Sequence, residues 1–281
     1  MRDYRYRLVN VFAEDVLEGN PLCVFEDARG LDDATMQALA LQFNLSETTF
    51  VLPSTSATAR VRIFTPQFEM PFAGHPTLGT AHVVRALRAS GNEITLEMNV
   101  GPVPVRADGN RWTLSAQPPK TRAPGVDRAS MARFLRLEAS DVASDPLWVD
   151  TGVEQLVVPL SCVEAVRRVD PDSSTMSAWP QNNRGRAMFY VWAWRDPVNI
   201  EVRFFFTKYT SVIEDPGTGS ACANLGGWMI ATAQRLPIDV SVHQGAAVAR
   251  PCRLGLAVDS KQAISVSGRV VELGSGSIRL P

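Results

Sequence analysis

Two stretches of helical character carry almost no charge, and they constrain the fold more than any other feature of the sequence. Residues 77–89 contain only Arg85 and Arg88 as charged residues, and residues 220–234 contain none. A helix that is apolar on all sides is normally buried on all sides. Short alternating segments typical of strands surround both stretches. We therefore predict an α+β fold of two similar halves, each a mostly antiparallel, barrel-like sheet wrapped around a central helix.

The boundary between the halves is predicted in residues 117–125, where three prolines and several polar residues suit a linker. The N-terminal half then covers residues 1–118 and the C-terminal half residues 125–281, with a final strand that can return to the first half. Within the first half, Asp108-Gly109-Asn110 predicts a hairpin turn. Residues 32–43 predict an amphipathic helix with acidic residues in its first turn.

Composition and charge exclude several classes of function. A formal net charge of -1 argues against nucleic acid or an anionic membrane as a partner. No segment has the features of a signal peptide or a membrane span, so we expect a soluble, cytoplasmic protein. Three histidines without an HExxH motif predict no metal site. Four cysteines without CxxC pairing are expected to be free thiols.

Two glycine-containing loops precede the two buried helices. The segment Ala73-Gly74-His75-Pro76-Thr77 aligns with Pro216-Gly217-Thr218-Gly219-Ser220, because Gly217 falls 143 residues after Gly74. The N-terminus of a helix offers free N–H groups and a positive dipole end, and glycine lets an anion approach the backbone. The pair predicts loops that hold a carboxylate. Ordinary capped turns remain the alternative.

Ionisable residues gather around these loops. His75 and Asp215 flank them at corresponding places, with Glu69 and Glu214 nearby. Such clusters are typical of active sites. Of the other two histidines, His82 falls inside the first buried helix and is interpreted as a core residue, and His243 belongs to no motif.

Glu47 is a carboxylate at the start of an otherwise apolar strand, in Asn44-Leu45-Ser46-Glu47-Thr48-Thr49-Phe50-Val51. It could be a cap or a solvated strand end. If it is buried in a cleft, desolvation raises its pKa toward neutrality, which suits a group that takes and returns a proton.

Taken together and in order, the motifs resemble the phenazine biosynthesis PhzF-like family over nearly the whole chain. The motifs that carry this resemblance are Gly19-Asn20-Pro21, Phe43-Asn44-Leu45-Ser46-Glu47-Thr48, Phe64-Thr65-Pro66 with Glu69, Ala73-Gly74-His75-Pro76-Thr77, and Glu214-Asp215-Pro216-Gly217-Thr218-Gly219-Ser220-Ala221. The resemblance implies the fold of diaminopimelate epimerase, with the active site between the two halves.

The resemblance also implies roles for individual residues. Glu47 corresponds to the general acid/base of the family, and His75, Asp215 and Ser220 match its other active-site positions. The expected substrate-binding residues are Asn20, Gly74, Thr77, Gly217, Thr218 and Gly219.

The founding activity of the family is isomerisation of trans-2,3-dihydro-3-hydroxyanthranilate, in which a proton leaves one ring carbon and returns at another without a cofactor. The resemblance therefore implies a cofactor-independent isomerase of a small carboxylated substrate, in phenazine-type biosynthesis, and a homodimer. Diaminopimelate epimerase uses two thiols, but those positions are Ala73 and Pro216 here, which excludes that chemistry. Cys222 is interpreted as a packed small residue.

Some segments depart from the family pattern. Residues 207–212 read Thr-Lys-Tyr-Thr-Ser-Val where the family has a proline and a glycine, and Ala249-Arg250-Pro251-Cys252 replaces Gly-Arg-Pro-Ser. These departures concern the identity of the substrate more than the proton transfer. Two alternatives stay open: a racemase or epimerase of an amino or hydroxy acid that works without thiols, and a small-anion-binding protein without catalysis.

Overall fold

The computed structural model describes residues 1–89, 91–208 and 211–281, which form two compact units. Unit 1 consists of Met1–Ser115 and Ser267–Pro281, and unit 2 consists of Ala116–Val266. The chain thus leaves unit 1 once and returns to it with its last residues. The predicted domains, residues 1–118 and 125–281, stay a prediction.

Among the described residues, unit 1 contains the first two helices and the first eight strands of the chain, together with the end of the last strand. Its elements are β1 (Arg2–Val11), β2 (Asn20–Phe25), α1 (Asp33–Phe43), β3 (Glu47–Leu52), β4 (Ala59–Phe64), β5 (Glu69–Met70), α2 (Gly74–Arg88), β6 (Glu93–Met98), β7 (Gly101–Asp108), β8 (Arg111–Ser115) and the C-terminal part of β17 (Ile264–Leu280). The predicted hairpin is confirmed: β7 and β8 pair around Gly109, whose φ of 57° is in the left-handed region.

The sheet of unit 1 closes on itself as a barrel. Successive neighbours are β1, β2, β3, β4, β6, β7, β8 and β17, and β17 pairs again with β1. The pairs β2–β3 and β4–β6 are parallel, whereas β1–β2, β1–β17, β3–β4, β6–β7 and β7–β8 are antiparallel. The predicted fold class, a mostly antiparallel sheet around a central helix, is confirmed.

Unit 2 also packs its sheet against an enclosed helix, and it contains additional helices. Its elements are β9 (Lys120–Arg122), α3 (Arg128–Phe134), β10 (Leu147–Asp150), β11 (Glu154–Pro159), α4 (Val163–Arg168), β12 (Met188–Asp196), β13 (Asn199–Lys208), β14 (Ser211–Asp215), α5 (Gly219–Ala231), β15 (Ile238–Gln244), β16 (Cys252–Val258) and the start of β17. Part of the segment interpreted as a linker is strand β9, which pairs with β10.

The order of pairings shows the internal repeat. In unit 1, β3 pairs with β4, β4 carries the short β5, and β4 runs parallel to β6 after α2. In unit 2, β12 pairs with β13, β13 carries β14, and β13 runs parallel to β15 after α5. Each enclosed helix thus lies between a hairpin and a strand that runs parallel to the first strand of that hairpin, in the same place of the repeat.

The same ion pair holds the short hairpin of each repeat. The Arg62 guanidinium on β4 donates two hydrogen bonds to Glu69 on β5, of 2.8 and 2.6 Å. In unit 2, Arg203 on β13 donates two to Glu214 on β14, of 3.0 and 2.7 Å. Each guanidinium also lies over a phenylalanine ring of its own strand. Paired hydrogen bonds of this kind fix geometry as well as energy, so both hairpins are clamped just before the enclosed helix.

Both enclosed helices are buried as the sequence predicts. In α2 the buried residues extend from His75 to Val84, and in α5 from Gly219 to Met229. Glycine permits each helix to approach the sheet closely. On α2, a Cβ on Gly79 would lie only 2.6 Å from Leu22 Cδ2 of β2. On α5, a Cβ on Gly227 would lie 2.7 Å from Val149 Cγ1 and 2.8 Å from Pro119 Cβ.

We expect Gly227→Ala to lower the free energy of unfolding by about 1 to 2 kcal/mol. The added methyl group meets a β-branched side chain and a proline ring, and such overpacking costs about 1 to 3 kcal/mol, of which the better helix propensity of alanine returns up to about 1 kcal/mol. Gly91→Ala is the control, because nothing lies within 4 Å of the position. Denaturant unfolding measures both; a Gly227→Ala protein as stable as the wild type would contradict the close packing.

Candidate functional site

Unit 1 brings Glu47 and His75 together. Glu47 is the first residue of β3 and lies opposite Leu22 of the parallel strand β2. His75 is the second residue of α2, whose N-cap is Ala73. Glu47 Oε2 lies 3.4 Å from His75 Nδ1, and the two side chains are only 16% and 6% exposed. A carboxyl group and an imidazole, both largely shielded from water, thus face each other at the start of the enclosed helix.

His75 is uncharged at neutral pH. Burial disfavours the imidazolium and lowers the pKa of His75 to about 3, although a hydrogen bond with the backbone of Pro21 opposes the shift. Within the residues that the structure describes, His75 Nε2 is buried and has no hydrogen-bond partner. The contact with Glu47 is therefore between a carboxyl group and a neutral imidazole, and not an ion pair.

The other predicted residues of unit 1 lie around the same helix end. Asn20 is fully buried at the start of β2. Gly74 is the first residue of α2. Thr77 is also fully buried, and its hydroxyl donates a 2.7 Å hydrogen bond to the Ala73 carbonyl. Substrate binding by Asn20, Gly74 and Thr77 stays a prediction.

In unit 2, the loop between β14 and α5 is fixed by hydrogen bonds. Thr218, the N-cap of α5, donates from its hydroxyl to Asp215 Oδ2 at 2.5 Å. Gln244 at the end of β15 accepts from the Thr218 N–H at 3.2 Å, and it donates to the Asp215 carbonyl at 2.9 Å and to Thr218 Oγ1 at 3.0 Å. The buried Gln244 amide thus holds Asp215 and Thr218 in place with three hydrogen bonds, and the Asp215 carboxylate is bonded to Thr218.

Ser220 is the second residue of α5, as His75 is of α2. Its Oγ accepts a 2.9 Å hydrogen bond from Gln155 Nε2 on β11. Gly217 and Gly219 are buried on either side of Thr218. Together Asp215 and Ser220 form a second group of polar side chains at the start of an enclosed helix. The predicted roles of these residues remain predictions.

Sequence reasoning missed Gln155, Asn224 and Gln244. The available signal was a polar amide inside an apolar segment: all of β11 is buried, and α5 has no charged residue. Glu69 and Glu214, which the sequence places near the loops, have their carboxylates bonded to Arg62 and Arg203.

The residues set aside in the sequence have local partners. His82 Nδ1 accepts a 3.3 Å hydrogen bond from Trp112 Nε1, and His243 Nε2 lies 3.0 Å from Asn199 Oδ1. Burial raises the pKa of the Cys222 thiol well above its ordinary value. Of the divergent segment 207–212, residues 209 and 210 lie outside the described residues; Lys208 of β13 pairs with Ser211 of β14.

Among the described residues, no group of three or more His, Cys, Asp and Glu side chains is placed to hold a metal ion. Within residues 1–89, 91–208 and 211–281, no helix has the combined length and apolar character needed to cross a membrane.

The chain is similar to a family of isomerases over its whole length. The model of the PhzC-PhzF family, described as phenazine biosynthesis-like protein, matches residues 9–276. An uncharacterized isomerase of Pasteurella multocida is 37% identical over 281 residues, covering 99% of this chain and 95% of that protein. The trans-2,3-dihydro-3-hydroxyanthranilate isomerase of Pseudomonas aeruginosa is 33% identical over 285 residues, covering 97% and 98% of the two chains.

The fold agrees with this similarity. The crystal structure of a PhzF-family phenazine biosynthesis protein of Bacillus anthracis superposes with a TM-score of 0.88 over the full length of both chains, at 23% identity. Family and relatives together define the class of protein as an isomerase. The chain belongs to the PhzC-PhzF family of phenazine biosynthesis-like proteins.

The low pKa of His75 predicts a pH-dependent contribution to stability. At pH values between about 3, the pKa of His75 in the folded protein, and about 6.5, its usual value in the unfolded chain, the unfolded state binds a proton that the folded state does not. This proton favours the unfolded state, so the free energy of unfolding is at its full value well above pH 6.5 and decreases as the pH falls below 6.5.

We expect the free energy of unfolding to fall by about 2 kcal/mol more for the wild type than for His75→Gln between pH 7 and pH 5. Chemical denaturation at both pH values measures this difference. Because the other ionisable groups are common to both proteins, their contributions cancel. Parallel pH profiles for the two proteins would show that His75 takes up its proton in the folded state.

Proposed function

We propose that the protein is a cofactor-independent isomerase in which Glu47 removes a proton from one carbon of a small carboxylated substrate and returns it at another. The contact between Glu47 Oε2 and His75 Nδ1, at 3.4 Å and largely shielded from water, carries this proposal. A relative at 33% identity is named for an isomerase reaction of one such substrate, dihydrohydroxyanthranilate.

Glu47 suits the role of a single acid/base. Its side chain is 16% exposed, so a substrate can reach it while bulk water is mostly excluded. A positioned carboxyl group can act as base in the first step and as acid in the second, because taking a proton leaves it protonated; a share of these protons exchanges with solvent before the return. No second titratable group and no cofactor is needed for that sequence.

His75 suits the role of a neutral partner. Since burial keeps the imidazole uncharged, it can donate or accept a hydrogen bond without adding a full charge beside Glu47. Hydrogen bonds that are already oriented stabilise charge that develops in a transition state at little reorganisation cost. At 3.4 Å the contact is longer than an ordinary N–H···O hydrogen bond, so we propose that it shortens when substrate binds and that His75 then orients the Glu47 carboxyl group in this way.

Asp215 and Ser220 are proposed to contact the substrate as well. Ser220 and Gly219 lie in the first turn of α5, where backbone N–H groups and the positive end of the helix dipole favour a carboxylate. Thr218 makes no side-chain cap to this helix; its hydroxyl donates to Asp215 and accepts from Gln244. By correspondence, Gly74 is proposed to bind substrate at the start of α2.

Isomerisation predicts deuterium uptake that depends on Glu47. Wild type, Glu47→Gln and the control Glu97→Gln are incubated in D2O with dihydrohydroxyanthranilate and a panel of small carboxylic and amino acids, and proton exchange is followed by NMR. Glu97 is a matched control because its carboxylate, 35% exposed, accepts hydrogen bonds from Ser54 and Ser56 and lies 3.8 Å from Arg60.

We expect exchange and turnover by wild type and Glu97→Gln, and a loss of at least about 100-fold in Glu47→Gln, since a positioned acid/base typically contributes that much or more. A folded Glu47→Gln protein that keeps most of its activity would refute the proposal. Binding of a panel member without exchange by the wild type would favour a small-anion-binding protein, and inversion of a stereocentre would favour a racemase or epimerase. A homodimer and a cytoplasmic location remain predictions.

A further inference from the structure

A chain of buried amides connects Ser220 to the backbone of unit 2. Asn224 on α5 and Gln155 on β11 are 0% and 1% exposed. Asn224 Nδ2 donates to Gln155 Oε1 at 2.6 Å, and Gln155 Nε2 donates to Ser220 Oγ at 2.9 Å. At its other end, Asn224 contacts the turn between β10 and β11.

Two backbone groups fix the orientation of Asn224. The Thr151 N–H, which can only donate, lies 2.9 Å from Asn224 Oδ1. The Val153 carbonyl, which can only accept, lies 2.8 Å from Asn224 Nδ2. The Thr151 hydroxyl donates to the same Oδ1 at 2.7 Å. A flipped Asn224 amide would place donor against donor and acceptor against acceptor, so its orientation is determined by the main chain.

The orientation passes from Asn224 to Ser220. The second Nδ2 proton of Asn224 requires an acceptor, which is Gln155 Oε1, and this turns Gln155 Nε2 toward Ser220. Because Ser220 Oγ accepts this hydrogen bond, its own proton must point elsewhere. The backbone of one turn thus determines, through two side chains, that the Ser220 hydroxyl is available as a donor.

Stability alone does not explain this arrangement. The neighbours of Gln155 along β11, Leu156 and Val157, are fully buried and apolar. Burying amides without partners is costly, and a fully bonded polar network mainly fixes one geometry. Asn224 also pairs the Thr151 N–H and the Val153 carbonyl, which an apolar residue would leave unpaired. Gln155 bonds Asn224 and Ser220, and an apolar residue of similar size would fill its space, so the feature that Gln155 provides is the direction of the Ser220 hydroxyl.

We propose that Gln155 and Asn224 are positioning residues that hold the Ser220 hydroxyl as a hydrogen-bond donor to a carboxylate oxygen of the substrate. This inference rests on the proposed function, because it takes Ser220 as a substrate contact. It adds two residues that act on the substrate only through Ser220.

The test is a double-mutant cycle with Gln155→Met and Ser220→Ala, using a substrate that the wild type converts. Gln155→Met should raise KM at least about tenfold, the scale of a hydrogen bond to a charged oxygen, and change kcat less than about twofold, since the contact holds bound substrate and transition state alike. In the Ser220→Ala background, Gln155→Met should change KM less than about twofold, because the two act as a unit. An equal KM effect with and without the Ser220 hydroxyl would overturn the proposal.

Tyr190→Phe is the matched control. Tyr190 is fully buried on β12, which pairs with β11, and its hydroxyl has no hydrogen-bond partner among the described residues. Its removal should leave KM unchanged. A KM increase in Tyr190→Phe equal to that in Gln155→Met would show a general packing effect and overturn the specific role of Gln155.

A second measurement needs no substrate and stays informative if Gln155→Met fails to fold. In ¹⁵N-labelled protein, Ser220→Ala should move the Gln155 side-chain amide resonance and speed exchange of one of its protons with solvent, because that proton loses its acceptor. An unchanged Gln155 amide would overturn the proposed hydrogen-bond direction. The two proposals fail in different ways. If the proposed function is wrong, the wild type converts no panel member, but Ser220→Ala still moves the Gln155 amide resonance.

Discussion

Enclosure of a helix by a sheet is the constraint on which the rest of each unit depends. Neither α2 nor α5 can turn a polar face to water over most of its length, so close packing and internal hydrogen bonds must replace solvation. In unit 1, Thr80 on α2 meets this need through a 2.8 Å hydrogen bond to Thr49 on β3. In unit 2, Asn224 meets it through the turn between β10 and β11.

The candidate site residues His75 and Ser220 lie at the starts of these enclosed helices. Each helix begins directly after a hairpin clamped by an Arg–Glu pair, and its second residue is His75 or Ser220. Burial then determines what these residues can do. It keeps His75 neutral beside Glu47, and it lets two buried amides orient the Ser220 hydroxyl. Packing and the proposed function therefore have a common physical origin in this fold.

The sequence allowed the fold to be predicted because its main signals are local. Uncharged helical stretches predict enclosed helices, and the glycine at 109 predicts its hairpin. The repeat of the two loops was also visible in the sequence. By contrast, the bonds from Arg62 to Glu69 and from Gln155 to Ser220 join strands, or a strand and a helix, that only the folded chain brings together. Long-range side-chain pairing has no periodic signature, so composition and spacing could not reveal it.

For the site, the sequence around Glu47 was compatible with a cap, a solvated strand end or a buried acid/base. The family resemblance favoured the acid/base. The structure adds the contact with His75 and the burial of both side chains. The effect of burial on the pKa of His75 depends on how many neighbouring atoms exclude water, which the sequence does not specify.

The central claim, that one carboxyl group takes a proton and returns it, is tested most directly by following a label through a single turnover. The substrate carries deuterium at the carbon that loses the proton, and the reaction runs in ordinary water with enzyme in excess. Because Glu47 is mostly shielded from solvent, we predict that part of the product carries deuterium at the carbon that gains the proton. Complete loss of deuterium to water in every product molecule would contradict the single-carboxyl account.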